Sequence, residues 1–163
     1  MNTAFESFAN KISSTIKFGF FLATKLPAAY FVGLKLKTIN PQSCCIKLKH
    51  TWFSKNPFKS VYFAAEAMAA EMSTGLLAFG HIYKRNPKVS MLVVNMEATF
   101  LKKGTGELVF TCNDGVAIEQ AIQKTSQTGE GVILICKSVG KNNNGETIAE
   151  FQFTWSFKAK STQ

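Results

Sequence analysis

Residues 56–75 read Asn-Pro-Phe-Lys-Ser-Val-Tyr-Phe-Ala-Ala-Glu-Ala-Met-Ala-Ala-Glu-Met-Ser-Thr-Gly. From about Ser60 to Phe79 this stretch predicts a long helix of small and apolar residues, apolar all round, and such a helix is buried. Its only charges beyond Lys59 are two carboxylates, Glu66 and Glu71. Burying a carboxylate costs free energy unless it is paired or hydrogen-bonded. A chain that keeps Glu71 inside such a helix has a reason to do so, and catalysis is one.

The segments around this helix read as strands. Leu34 to Ile39 and Ile46 to His50 alternate apolar and polar, with the turn Asn40-Pro41-Gln42-Ser43 between them. They predict a hairpin with Leu34, Leu36, Ile46 and Leu48 facing inward and Lys35, Lys37, Lys47 and Lys49 facing outward. After the helix come strand patterns at 89–99, 107–112, 132–139 and 148–157, with turns at Lys102-Lys103-Gly104 and 141–145. A short helix is expected from Val116 to about Ser126, capped by Asp114 and ended by Gly129. Residues 3–31 predict one or two amphipathic helices with Phe5, Phe8, Ile12 and Ile16 on one face and a break at Pro27.

Composition narrows the function classes. The 163 residues suit one domain spanning 1–163, with N-terminal helices at 1–31 and a core at 32–158. The four cysteines form no C-x-x-C pair and there are two histidines, so no metal site is expected. Reduced thiols suit a cytoplasmic protein. The charge-free run Phe18–Thr24 is far too short for a transmembrane segment, which needs about 20 apolar residues, and no cleavage site follows it. The formal charge is +9, and residues 1–60 carry nine lysines against one acid, Glu6. That field favours anionic partners. With Arg85 as the one arginine and no nucleic-acid-binding motif, nucleic acid is not the expected partner.

Six strands wrapped around one long helix that enters after the second strand form an α+β hot-dog arrangement. Asn56, then Tyr62-Phe63-Ala64, then a carboxylate seven residues past Ala64 resembles the PaaI-like acyl-CoA thioesterases. In that family an Asn precedes a His-Gly-Gly turn and an Asp or Glu follows on the helix. Thr111–Ile118 and Phe153-Thr154-Trp155-Ser156-Phe157 are similar to a poorly characterised bacterial branch of the same superfamily. The likeness spans about residues 30–158, and it departs from the family where Tyr62-Phe63-Ala64 replaces His-Gly-Gly.

The resemblance implies hydrolysis of an acyl-CoA thioester without a cofactor. Glu71 would act as base or nucleophile, the backbone N–H near Ala64 as the oxyanion donor, and Asn56 would position the carbonyl or the water. Tyr62, Phe63 and Thr74 would contact substrate, and Lys102 and Lys103 the CoA phosphates. Tyr62 and Phe63 also read as core aromatics, and Lys102 and Lys103 as plain turn charges. Ala64 and Glu71 share a stripe but stand about 10 Å apart along the helix. A homodimer, or a dimer of dimers, would bring one copy's Glu71 to the other's Ala64. Glu66 lies about 140° around the helix from Glu71 and reads as structural. A non-catalytic acyl or acyl-CoA binder is the alternative that loss of the glycine turn favours.

Overall fold

The computed structural model describes residues 3–160. The remaining residues of the single-domain reading, 1–2 and 161–163, lie outside the described residues. Six antiparallel strands form one sheet in the order β1-β2-β4-β5-β6-β3. They are β1 (Lys35–Ile39), β2 (Cys44–Lys49), β3 (Val89–Phe100), β4 (Glu107–Cys112), β5 (Val132–Asn142) and β6 (Thr147–Ala159). The long helix α4 (Phe63–Ile82) packs on β2, β4, β5 and β6. The fold is the α+β hot dog that the sequence pattern predicts.

Alternation explains which face of the sheet meets the helix. On β2, Cys44, Ile46 and Leu48 are buried; on β4, Leu108, Phe110 and Cys112; on β6, Phe151, Phe153, Trp155 and Phe157. Each set repeats every second residue, as one face of a strand must. They close on Ala65, Ala69, Ala70, Met72, Leu76 and Leu77 of α4 in one continuous core. The many alanines let the helix lie close to the sheet. At a transfer value of about 25 cal/mol per Å2 of apolar surface, each fully buried Phe or Leu contributes about 2 kcal/mol. The four cysteines are free thiols.

Three further helices precede the sheet: α1 (Thr3–Ile12), α2 (Thr15–Lys25) and α3 (Pro27–Val32). Phe5, Phe8 and Ile12 are buried as predicted, but Ile16 is 84% exposed. It opens a new helix after the break at 13–14, so the periodicity of α1 does not carry through it. Pro27 starts α3 instead of merely ending α2, because proline suits a first helical position whose N–H has no partner anyway. In the hairpin, Leu34, Ile46 and Leu48 are buried and Leu36 is half-buried.

The helix α5 (Gly115–Thr128) covers the far part of α4. Asp114 stands at its N-cap, but its carboxylate does not cap: Oδ2 accepts the Lys137 amide at 2.6 Å, tying the helix start to β5. Gly129 ends α5 in the left-handed region, at φ 73°, where glycine carries no steric penalty. No described helix is long and apolar enough to cross a membrane.

Candidate functional site

The start of α4 is set by a loop that Asn56 holds together. Its Oδ1 accepts the amides of Phe58 at 2.9 Å and Ser60 at 3.2 Å. Its Nδ2 donates to Ser60 Oγ at 3.0 Å and to the Val61 carbonyl at 3.2 Å. Asn side chains stabilise turns in this way because they mimic backbone groups. Lys59 takes a left-handed φ of 59° to complete the turn. Val61 then donates to the Gly104 carbonyl and Tyr62 to the Ser54 carbonyl. The helix therefore begins at Phe63, three residues later than the sequence pattern predicts.

Ala65 and Glu66 both donate their amides to the Tyr62 carbonyl, whereas the amides of Phe63 and Ala64 have no acceptor among the described residues. No side chain caps this end. Free amides at a helix start favour negative charge through their own dipoles and the aligned peptide dipoles behind them.

Phe63, at the start of this turn, lines a cavity of about 570 Å3. Asn56, Tyr62, Phe63, Lys102 and Lys103, five of the eight candidate residues, line it together with Glu66, Phe100 and Gly104. Tyr62 and Phe63 are 47% and 55% exposed, so they are rim residues and not core aromatics. Phe63 packs edge-on against Tyr62 and Phe100. Lys102 forms a 2.5 Å ion pair with Glu146, which Asn142 also holds. Lys103 has no ion-pair partner among the described residues.

Glu66 is only 3% exposed, and its Oε2 has no hydrogen-bond partner among the described residues. Burial pushes its carboxyl up to about 7. The helical pattern alone reads Glu66 as structural, because it does not share a face with Glu71. A charge kept in an otherwise apolar helix was the available signal.

Glu71 and Thr74 lie elsewhere on α4. Glu71 is half-buried and lines a smaller groove with Lys25, Leu26, Met68 and Met72, under α3. Burial raises its carboxyl above the usual range too. Gly75 leaves the space it occupies: a Cβ there would stand 2.9 Å from Glu71 Oε1. The Thr74 hydroxyl donates to the Glu71 backbone carbonyl at 2.9 Å and accepts from Trp155 Nε1 at 3.0 Å. Within one chain, then, Glu71 is remote from the free amides, and Ala64 is half-buried beside them.

No group of three or more His, Cys, Asp or Glu among the described residues is arranged to hold a metal ion. His81 is buried with Nε2 at 2.8 Å from the Pro41 carbonyl, and Phe5 lies on its ring. Its place at the far end of α4 makes it part of the packing of α1.

Residues 16–157 match the model of a domain of unknown function, DUF4442, and the chain belongs to that family. Its fold is that of hot-dog thioesterases. PA5026 from Pseudomonas aeruginosa, a protein of unknown function described as a probable thioesterase, superposes with a TM-score of 0.75 at 17% identity. The match covers 89% of this chain and 96% of that one. Thioesterase HI1161 from Haemophilus influenzae matches at TM-score 0.66 and 9% identity, over 90% of this chain and 91% of its own. A variant of the Staphylococcus aureus thioesterase SAV0944 matches at 0.60 and 16%, over 85% and 98%. At these identities the likeness is one of fold. No curated protein matches the chain by sequence.

Proposed function

We propose that the protein is a PaaI-like thioesterase that hydrolyses acyl-CoA in the cytoplasm, at a site completed by two copies of the chain. One observation carries this reading: α4 opens on the Phe63 and Ala64 amides, which have no acceptor among the described residues, and Phe63 lines an aromatic-rimmed cavity with Lys103, which has no ion-pair partner among them. Preorganised amides of this kind stabilise the oxyanion of an acyl-transfer intermediate. The cavity would take the acyl chain and pantetheine, and Lys103, with Lys102 if it leaves Glu146, would meet the nucleotide phosphates. Asn56 would act as a positioning residue, through the loop that sets the amides. Glu71 of a second copy would serve as base on the attacking water.

The surface supports the pairing. The edge strand β3 is long and exposes Leu92, Val94, Met96 and Phe100, and Trp52, Phe53 and Phe58 are exposed near the loop. Open edges and large apolar patches of this kind call for a partner, and a second copy or a dimer of dimers would cover them. A second reading, an acyl-CoA binder without turnover, is favoured by the Phe63 ring at the cavity mouth. Thiol release from acyl-CoAs between acetyl and palmitoyl separates the two. Glu71→Gln should reduce hydrolysis by about 100-fold or more, the scale of a lost general base. A purely monomeric protein in light scattering, or full activity of that variant, would refute the shared site.

A further inference from the structure

The cavity holds one group that the mechanism above leaves unused. Glu66 is in the first turn of α4, is 3% exposed, and its Oε2 has no partner among the described residues. Side chains on a helix lean toward its N-terminus, over the preceding turn. That lean directs the carboxyl toward the turn of the Phe63 and Ala64 amides, on the side where Gly104 leaves room for Oε1. An ionised Glu66 would be an unpaired buried charge, costly by itself, and it would repel the negative charge that develops on a thioester oxygen held at those amides. The neutral acid has neither defect and carries an O–H to donate.

We propose that Glu66 acts as a neutral carboxylic acid and donates its O–H to the thioester carbonyl oxygen, as a third oxyanion donor beside the Phe63 and Ala64 amides. The proposal rests on the thioester reading of the cavity. Water adds through its oxygen to the carbonyl carbon, and the base, Glu71 of the second copy, takes its proton. The C=O π pair moves to the oxygen, which three donors hold. Collapse re-forms C=O and breaks C–S, and the departing thiolate takes the proton back from Glu71. Glu66 keeps its own proton throughout.

The surroundings favour the neutral form. The titratable groups lining the cavity with Glu66 are Tyr62 before α4 and Lys102 and Lys103 on the β3–β4 loop. Lys102 is engaged by Glu146, and burial is what raises the Glu66 carboxyl to about 7. Gly104 faces Glu66 from the same loop: a Cβ there would lie 2.5 Å from Oε1. Any side chain at 104 would displace the carboxyl.

The test compares two non-hydrolysable analogues of octanoyl-CoA. The ketone keeps the carbonyl and replaces sulfur by CH2; the thioether lacks the carbonyl. One group with a midpoint near 7 is mostly neutral at about pH 6 and mostly ionised at about pH 8. Wild-type affinity for the ketone should therefore fall about tenfold over that range, while thioether affinity changes less than about twofold. Glu66→Gln keeps a donor and cannot ionise, so its ketone affinity should be flat and its octanoyl-CoA turnover at about pH 8 at least that of wild type. Equal pH dependence for both analogues overturns the proposal. So does a folded Glu66→Gln protein that loses turnover at every pH, which would make Glu66 a base. If Glu66→Gln does not fold, the wild-type comparison decides alone. The expected ketone effect without hydrolysis would uphold the Glu66 contact and refute the enzyme reading, whereas failure of both analogues to bind would remove both.

Discussion

Gly104 and Glu66 are matched across the cavity floor: a Cβ at 104 would stand 2.5 Å from Glu66 Oε1 and 2.8 Å from Leu108 Cδ1. The β3–β4 loop and the first turn of α4 thus approach as closely as they do because position 104 has no side chain. Gly104→Ala should cost about 1–3 kcal/mol, the usual range for overpacking. Thermal denaturation measures it. In a Glu66→Ala background the cost should shrink without vanishing, because the Leu108 clash remains. Equal costs in the two backgrounds would show that Glu66 and Gly104 are not coupled.

The raised Glu66 carboxyl makes stability depend on pH in a stated direction. From about pH 4.5 to about 7 the unfolded chain has released this proton and the folded chain has not. The folded state then binds more protons, so stability falls as pH rises through that window and levels off above it. The contribution is at most about 3.5 kcal/mol, at about 1.4 kcal/mol per pH unit. Glu66→Gln should remove that slope and be the more stable protein at about pH 8. Denaturant midpoints of both proteins across the window check this, and parallel curves would refute it.

His81 acts in the opposite sense. Burial lowers its pKa from the usual 6.5, against the pull of the Pro41 hydrogen bond and Glu119 and alongside the push of Arg85. Below 6.5 the unfolded chain gains a proton that the folded chain refuses, so stability falls as pH drops from 6.5 toward the lowered folded value. Phe5 lies on the His81 ring and against Gly80. Protection factors of the α1 amides, which remove the intrinsic pH dependence of exchange, should fall in that window together with global stability. α1 protection factors that stay constant across the window would break the link.

The fold was legible because its signals are strong ones. Alternation at Ile46–Leu48 and in β6, and a helix with hardly any polar face, leave few arrangements that bury everything. The candidate site was legible in part. Asn56, Tyr62, Phe63, Lys102 and Lys103 meet at one cavity because the loop before α4 and the β3–β4 loop hydrogen-bond through Val61 and Gly104. Glu66 is not legible as a site residue, because the angle between it and Glu71 says nothing about which groups other elements bring. The contact that matters comes from Gly104, 38 residues further along. The limit of α1 was missed at Ile16 because an apolar spacing can continue across a break in the backbone.

The two lysines at the cavity mouth should differ. Lys103 has no ion-pair partner among the described residues, whereas Lys102 must leave Glu146 to meet a phosphate. Lys103→Glu should raise KM for acyl-CoA several-fold and leave a short thioester without the nucleotide nearly unchanged. Lys102→Glu should add repulsion against Glu146 and lower stability slightly, since exposed pairs are worth under about 1 kcal/mol. The KM effect should weaken as salt rises, because exposed charges are screened. An equal effect on both substrates would assign Lys103 to access and not to phosphate recognition.

The ring of Phe63 separates an enzyme from a binder. It is 55% exposed at the cavity mouth, held edge-on by Tyr62 and Phe100. On the proposed reading a thioester carbonyl would pass this ring to reach the amides of Phe63 and Ala64, and glycine would leave that path open. Because the ring is only half-buried, Phe63→Gly should cost less than the roughly 3–5 kcal/mol of a core Phe truncation, with added backbone entropy in the unfolded chain. If hydrolysis is limited by this crowding, kcat should rise. If the protein holds its ligand without turnover, affinity should drop, because a rim aromatic is lost, and no thiol should appear. A folded Phe63→Gly protein with unchanged rate and unchanged affinity would show that substrate does not pass this ring. It would move the acyl site to the groove that Glu71 shares with Lys25, Met68 and Met72.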